Sequence, residues 1–254
     1  MKIKIINPNT TLAMTEAIGA AGRSRARSGT EIVAVSPTFG PASIESYYYE
    51  MLCAPGVIDE VIKGDADGFD AYIIACYGDP GLHAAREATV KPVIGIAEAS
   101  LYIASILAAR FSIVTVIPRI KTMLEEMVAN YGFSHKVASI RTTPLYVLDI
   151  EKDPAGALET LRAEARKAMV EDDAEAILLG CAGFADFADE LERELGIPVL
   201  DGVVCAVKFA EALVELGKTT SKRKTYRPPE AKAFTGMFEH FGGGAGDNQT
   251  EAAE

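Results

Sequence analysis

A repeat constrains the fold of this chain more than any other feature. The stretch AYIIACYGDPGL, residues 71–82, runs a short apolar segment into a cysteine and then into a turn of glycine, aspartate and proline. AEAILLGCAGFAD, residues 174–186, repeats the arrangement, with Cys76 and Cys181 standing 105 residues apart. KIKIINP near the start matches RFSIVTVIP at 110–118, and KPVIGIAEA at 91–99 matches IPVLDGVVCA at 197–206. The spacing from cysteine to the next matched proline also agrees, 16 residues for Cys76 to Pro92 and 17 for Cys181 to Pro198. Three matches in one order imply two similar halves related by a pseudo-two-fold axis.

Each half reads as α/β. Runs rich in Ile and Val with little polar alternation are expected as buried parallel strands at 3–6, 32–35, 71–76, 93–96, 112–116, 176–180 and 198–200. Amphipathic segments separate them: Thr10 to Arg27 with a Thr cap, Glu98 to Arg110, and Pro154 to Val170. Alternating strands and helices imply parallel sheets flanked by helices. A chain of 254 residues exceeds the usual domain of roughly 100–150 residues. The expected division is a first domain from 1–98 plus about 207–236, a second from 99–206, and a disordered tail over 237–254 that is rich in Gly and acidic residues.

A net charge of -11 argues against nucleic acid as a partner, since phosphate contacts need clustered Lys and Arg. The one basic cluster, Lys218 to Lys232, with six cations and one anion, reads as a solvated segment that wraps over a surface or reaches a neighbouring subunit. No apolar run is long enough to cross a bilayer, and MKIKIINPNTT is too short in its apolar part for a secretory signal. A cytoplasmic protein without membrane contact is expected, as a homo-oligomer. The four cysteines then read as free thiols. With no CxxC spacing and three histidines, no metal site is expected.

In open parallel sheets ligands bind beyond the carboxyl ends of strands, where Cys76 and Cys181 fall. A helix N-terminus there favours thiolate over thiol, which would place both groups near neutral pH. Gly78, Gly81 and Gly183 let backbone N–H groups approach a ligand. Two thiols facing a common cleft suit proton exchange at a stereocentre, one removing a proton and the other delivering one to the opposite face, without a cofactor. Cys53 and Cys205, on helices, read as packing residues.

INPNTT, CYGDPGL, RFSIVTVIPR, LGCAGF and PVLDGV together resemble the hydantoin and allantoin racemases of the aspartate/glutamate racemase superfamily, over the chain to about Gly236. The resemblance implies two flavodoxin-like domains, a cleft between them, cofactor-independent racemisation, and Cys76 and Cys181 as the bases. It also implies that Asn9, Gly78, Thr115, Gly180, Ala182 and Gly183 line the ligand and that Tyr47 covers the substrate ring. Structural roles stay open for three of these: Asn9 as a helix cap, Tyr47 as packing, and Thr115 bonding its own backbone. Relatives often carry Thr-Thr where this chain has Thr115-Val116, and Tyr77 replaces a Phe.

Residues 77–79 and 182–183 offer few side-chain donors for an amino acid's carboxylate and ammonium, so a neutral cyclic ureide fits better. The small-molecule substrate is expected to be allantoin, with 5-substituted hydantoins beside it. Other readings are a superfamily decarboxylase or isomerase of a small carboxylate, an aspartate or glutamate racemase, and a non-enzymatic binding module.

Overall fold

A computed structural model of the chain describes residues 1–242. The first sheet is built from β1 (Lys2–Ile6), β2 (Glu31–Val35), β3 (Ala71–Ile74) and β4 (Val93–Gly95), in the order β2-β1-β3-β4. The second is built from β5 (Phe111–Thr115), β6 (Val137–Thr142), β7 (Ile177–Leu179) and β8 (Val199–Asp201), in the order β6-β5-β7-β8. Every pairing is parallel. The two orders superimpose when four is added to each strand number, which is the duplication read from the sequence.

The helices are α1 (Leu12–Arg25), α2 (Tyr47–Ala66), α3 (Leu82–Ala88), α4 (Ile96–Leu107), α5 (Lys121–Asn130), α6 (Pro154–Glu171), α7 (Ala188–Leu195) and α8 (Gly202–Glu215). They flank both sheets, as parallel pairing requires. In β3 the four residues are all buried, with Ala71 and Ile73 packed in the core shared with the second half and Tyr72 and Ile74 in a smaller core under α2 and α3. That two-sided burial is why the segment reads as continuously apolar. α4 and α8 pack on each other, and α8 also touches β3, β4 and β8, so these two helices clamp the halves together.

Several expected boundaries shift. β3 stops at Ile74 rather than Cys76, β4 at Gly95, and β7 at Leu179, so each cysteine stands two residues beyond its strand. α1 begins at Leu12 with Thr11 as its cap residue, and the Thr10 hydroxyl is spent on Pro41 O, 3.3 Å away. α4 runs from Ile96 to Leu107, earlier than expected, because the turn into it begins directly at the end of β4. β6 was not expected at all. It is an edge strand with one buried position, Ile140, and its Ser139 and Arg141 face Asp172.

The basic segment wraps back over the first half. Thr220 donates from its backbone to Val90 O at 2.8 Å, Lys222 Nζ donates to Arg86 O at 2.6 Å, and Tyr226 stacks on His83. Residues 236–241, given mostly to the disordered tail, form a 3-10 turn. Phe234, Phe238 and Phe241 line one apolar groove with Pro55, Ile58 and Ile62, which gives the turn a surface to pack on. The rest of the expected tail, 243–254, lies outside the described residues.

Candidate active site

The carboxyl ends of β3 and β7 open onto one cleft, and both thiols line it. On the first side, Ala75 N still donates to Ile6 O at 2.8 Å, which fixes the chain up to Cys76. A turn follows, closed by Asp79 N to Cys76 O at 2.9 Å, with Asp79 itself in the left-handed region at φ 49. The Asp79 carboxylate holds that conformation by accepting from Ala97 N at 3.1 Å, Glu98 N at 2.9 Å and the Tyr131 hydroxyl at 2.7 Å. It therefore caps α4 and ties the Cys76 loop to α5 of the other half. Burial pushes this carboxyl up to about 7.

On the second side, Gly180 N donates to Val114 O at 2.8 Å and the Thr115 hydroxyl donates to Gly180 O at 2.7 Å. A Cβ on Gly180 would lie 2.7 Å from Thr115 Cβ, so only glycine lets the two strand ends approach this closely. Cys181 then caps a 3-10 turn over Ala182–Phe187.

The cleft brings together Asn9, Cys76, Gly78, Gly180, Cys181 and Ala182. Asn9 is buried, its Oδ1 accepts from Asn7 Nδ2 and Thr11 N at 2.9 Å each, and its Nδ2 meets Met14 Sδ at 3.2 Å. Its amide is thus oriented by INPNTT, with N–H capacity left facing the cleft. Gly183 is one step back: its backbone N–H serves the Cys181 sulfur, as that of Gly78 serves Cys76. Two expected residues stand off the cleft lining. Thr115 is fully buried and does not line the cleft, its hydroxyl being committed to Gly180. Tyr47 is half-exposed at the outer rim, donating to Glu126 Oε2 across the mouth at 2.6 Å, because it opens α2 on the solvent side.

The thiols also differ from expectation in their proton affinity. Burial pushes Cys181 up to about 12, against the pull of the Gly183 N–H, with Glu45 and Asp201 adding to the rise. Burial likewise raises Cys76 well above the ordinary thiol value, reinforced by Cys53 and Glu50 and opposed by the Gly78 N–H. α3 starts only at Leu82, six residues past Cys76, so the thiol does not sit in the first turn of that helix. Desolvation in an apolar cleft outweighs one N–H donor.

Residues absent from the expected site complete the lining: Glu50 beside Cys76, and an apolar wall of Met14, Ile44, Val116, Ile120, Met123, Leu124 and Val147. Among the described residues no Lys, Arg or His lines the cleft. Among the described residues no group of three or more His, Cys, Asp or Glu is arranged to hold a metal ion, and no helix is long and apolar enough to cross a membrane.

Comparison with known proteins agrees with this geometry. The Asp/Glu/Hydantoin racemase family model matches residues 3–210. The hydantoin racemase of Pseudomonas sp. (strain NS671) is 66% identical over 95% of this chain and 97% of its own. Among solved structures, allantoin racemase from Klebsiella pneumoniae superimposes with a TM-score of 0.93 at 47% identity, covering 94% of this chain and 98% of its own. Allantoin racemase from Pseudomonas fluorescens gives 0.90 at 39% identity, covering 93% and 100%. Sheet order, the paired strand-end cysteines and these likenesses lead to one conclusion: the chain belongs to the Asp/Glu/hydantoin racemase family.

Proposed function

We propose that the chain racemises 5-substituted hydantoins by a two-base mechanism, with Cys76 and Cys181 on opposite faces of C5. That it is a racemase follows from its family. The observation that carries the mechanism is that two thiols, one from the end of each sheet, line one cleft. The C5 proton lies next to the C4 carbonyl, so its removal places the electron pair on an enolate oxygen. A thiolate on one face takes that proton, and the thiol on the other returns its own to C5, which inverts the centre. The second sulfur is left as thiolate, ready for the reverse direction. Asn9 Nδ2 is the donor assigned to the enolate oxygen, where a fixed dipole lowers the barrier without reorganisation. Neither transfer requires a cofactor.

Lining chemistry selects the substrate class. A carboxylate substrate, whether a malonate, aspartate or glutamate, would enter a cleft where the described residues supply no cation and Glu50 is already present. The wall of Ile44, Val116, Ile120, Met123, Leu124 and Val147 favours an alkyl, thioether or aryl substituent at C5. Each N–H or C=O of a ureido substituent left unpaired against such a wall costs about 1–3 kcal/mol. Allantoin stays the second reading, favoured by the allantoin racemases that share the fold at 47% and 39% identity.

Enantiopure 5-isobutylhydantoin and allantoin, incubated separately in deuterium oxide, test this. Optical rotation should decay to zero as deuterium enters C5, faster for the alkyl compound. Unchanged rotation with both substrates refutes the proposed activity, and faster decay with allantoin reverses the substrate order.

A further inference from the structure

One cleft-lining group has no part in the proton transfers, the carboxylate of Glu50. It projects from the first turn of α2, and its Oε1 lies so near Gly78 that a Cβ on that residue would overlap it. Gly78 is also the residue whose N–H serves Cys76, so carboxylate and thiol share one peptide as neighbour. Glu50 is half-buried and, among the described residues, is the one charged side chain in the cleft lining. Burial raises its pKa, and no hydrogen bond or ion pair from the described residues reaches its oxygens. A carboxylate in that condition lacks the partners that would offset its desolvation, and it faces the space a substrate occupies.

A hydantoin ring offers two N–H donors. N1 is bonded to C5, the carbon held at the thiols, whereas N3 is not. The negative charge of the enolate develops on the C4 oxygen, which lies on the other side of C5 from N1. An anionic acceptor at N3–H would sit beside that developing charge and oppose it. At N1–H it lies close to Cys76 and remote from the oxygen.

Resting on the hydantoin reading above, we infer that Glu50 accepts a hydrogen bond from N1–H of the substrate ring, and so selects rings that carry a free N–H next to the reacting carbon. The residue thus determines specificity and orients the ring for Cys76.

The test compares 5-isobutylhydantoin with its N1-methyl and N3-methyl derivatives, using the full chain. The wild-type protein should lose about 10- to 100-fold in kcat/KM on N1-methylation, the range of one hydrogen bond to a charged group, and less on N3-methylation. Glu50→Ala should lose a similar factor on the parent while the N1-methyl compound changes little, so that discrimination falls to near one. Glu50→Gln, which keeps an acceptor oxygen and the shape of the side chain, should retain part of the discrimination and guards against a folding defect in the alanine variant. Equal losses on parent and N1-methyl substrate, or wild-type turnover of the N1-methyl compound at the parent's rate, overturn the inference. A wild-type protein that racemises no parent hydantoin instead removes the proposed function, so the two failures are distinguishable.

Discussion

Thr115→Val isolates what holds Cys181 in place. The side chain is fully buried, and its hydroxyl donates to Gly180 O at 2.7 Å, one residue before the thiol. Valine has nearly the same shape, so the substitution removes one hydrogen bond and leaves Gly180 O buried without that donor. Such an orphaned group costs about 1–3 kcal/mol. At about 2 kcal/mol, and 2–4 °C per kcal/mol for a chain of this size, Tm should fall by about 4–8 °C. Because Gly180 also packs against Thr115 Cβ, loss of the bond loosens the segment that aims the sulfur, and racemisation should drop by about tenfold. Thr115→Ser removes a methyl but keeps the donor, so it should lose some stability and retain activity. Differential scanning calorimetry and polarimetry on the three proteins decide it. A Thr115→Val protein as stable and active as wild type refutes the positioning role, and so does a serine variant that is equally inactive.

Other outcomes follow from the same contacts. Because burial holds both thiols protonated near neutral pH, alkylation by iodoacetamide should rise about tenfold per pH unit from pH 7 to pH 10, as should kcat/KM below the thiol pKa; a plateau near pH 7 counts against this. Asp79 binds its proton more tightly in the fold, at about 7, than in the unfolded chain, near 3.8. Its contribution is therefore complete below about pH 4 and is lost as pH rises toward 7, so between pH 5 and pH 7 the wild type should lose about 2–3 kcal/mol relative to Asp79→Asn in denaturant titrations. Lys4 Nζ is buried 2.7 Å from Glu60 Oε2, and Glu60→Ala should cost about 3–5 kcal/mol by stranding the ammonium, while Lys4→Met with Glu60→Leu should cost much less.

The frame of the molecule is legible in the chain because its strands are buried on both faces. Ile3, Ile5, Ile73 and Ile113 are fully covered, so their segments read as apolar runs, and the repeat of those runs discloses two sheets of equal order. β6 escapes that reading because an edge strand carries Ser139 and Arg141 toward solvent-side partners. The two thiols are legible by their matched place beyond strand ends. Their proton affinity is not, since it depends on how dry the cleft becomes when the halves close on it. Glu50 and the wall of Ile120, Met123, Leu124 and Val147 come from α2 and from segments of the other half, and they reach the cysteines only through tertiary packing, α4 on α8 and α1 on the turn after Cys181 included. Tyr47 and Glu50 lie three apart on α2, which puts them on one side of the helix, and that spacing is the signal that could have pointed from one to the other.

Exchange without inversion in single-cysteine variants tests the two-thiol mechanism most directly. Cys76→Ser and Cys181→Ser are each incubated with both enantiomers of 5-isobutylhydantoin in deuterium oxide, following C5 deuterium by mass spectrometry and configuration by polarimetry. Each variant should lose inversion yet exchange deuterium into one enantiomer only, the one whose C5 proton faces the remaining thiol, with opposite preference in the two variants. Inversion by either variant, or the same enantiomer exchanged by both, contradicts a thiol on each face.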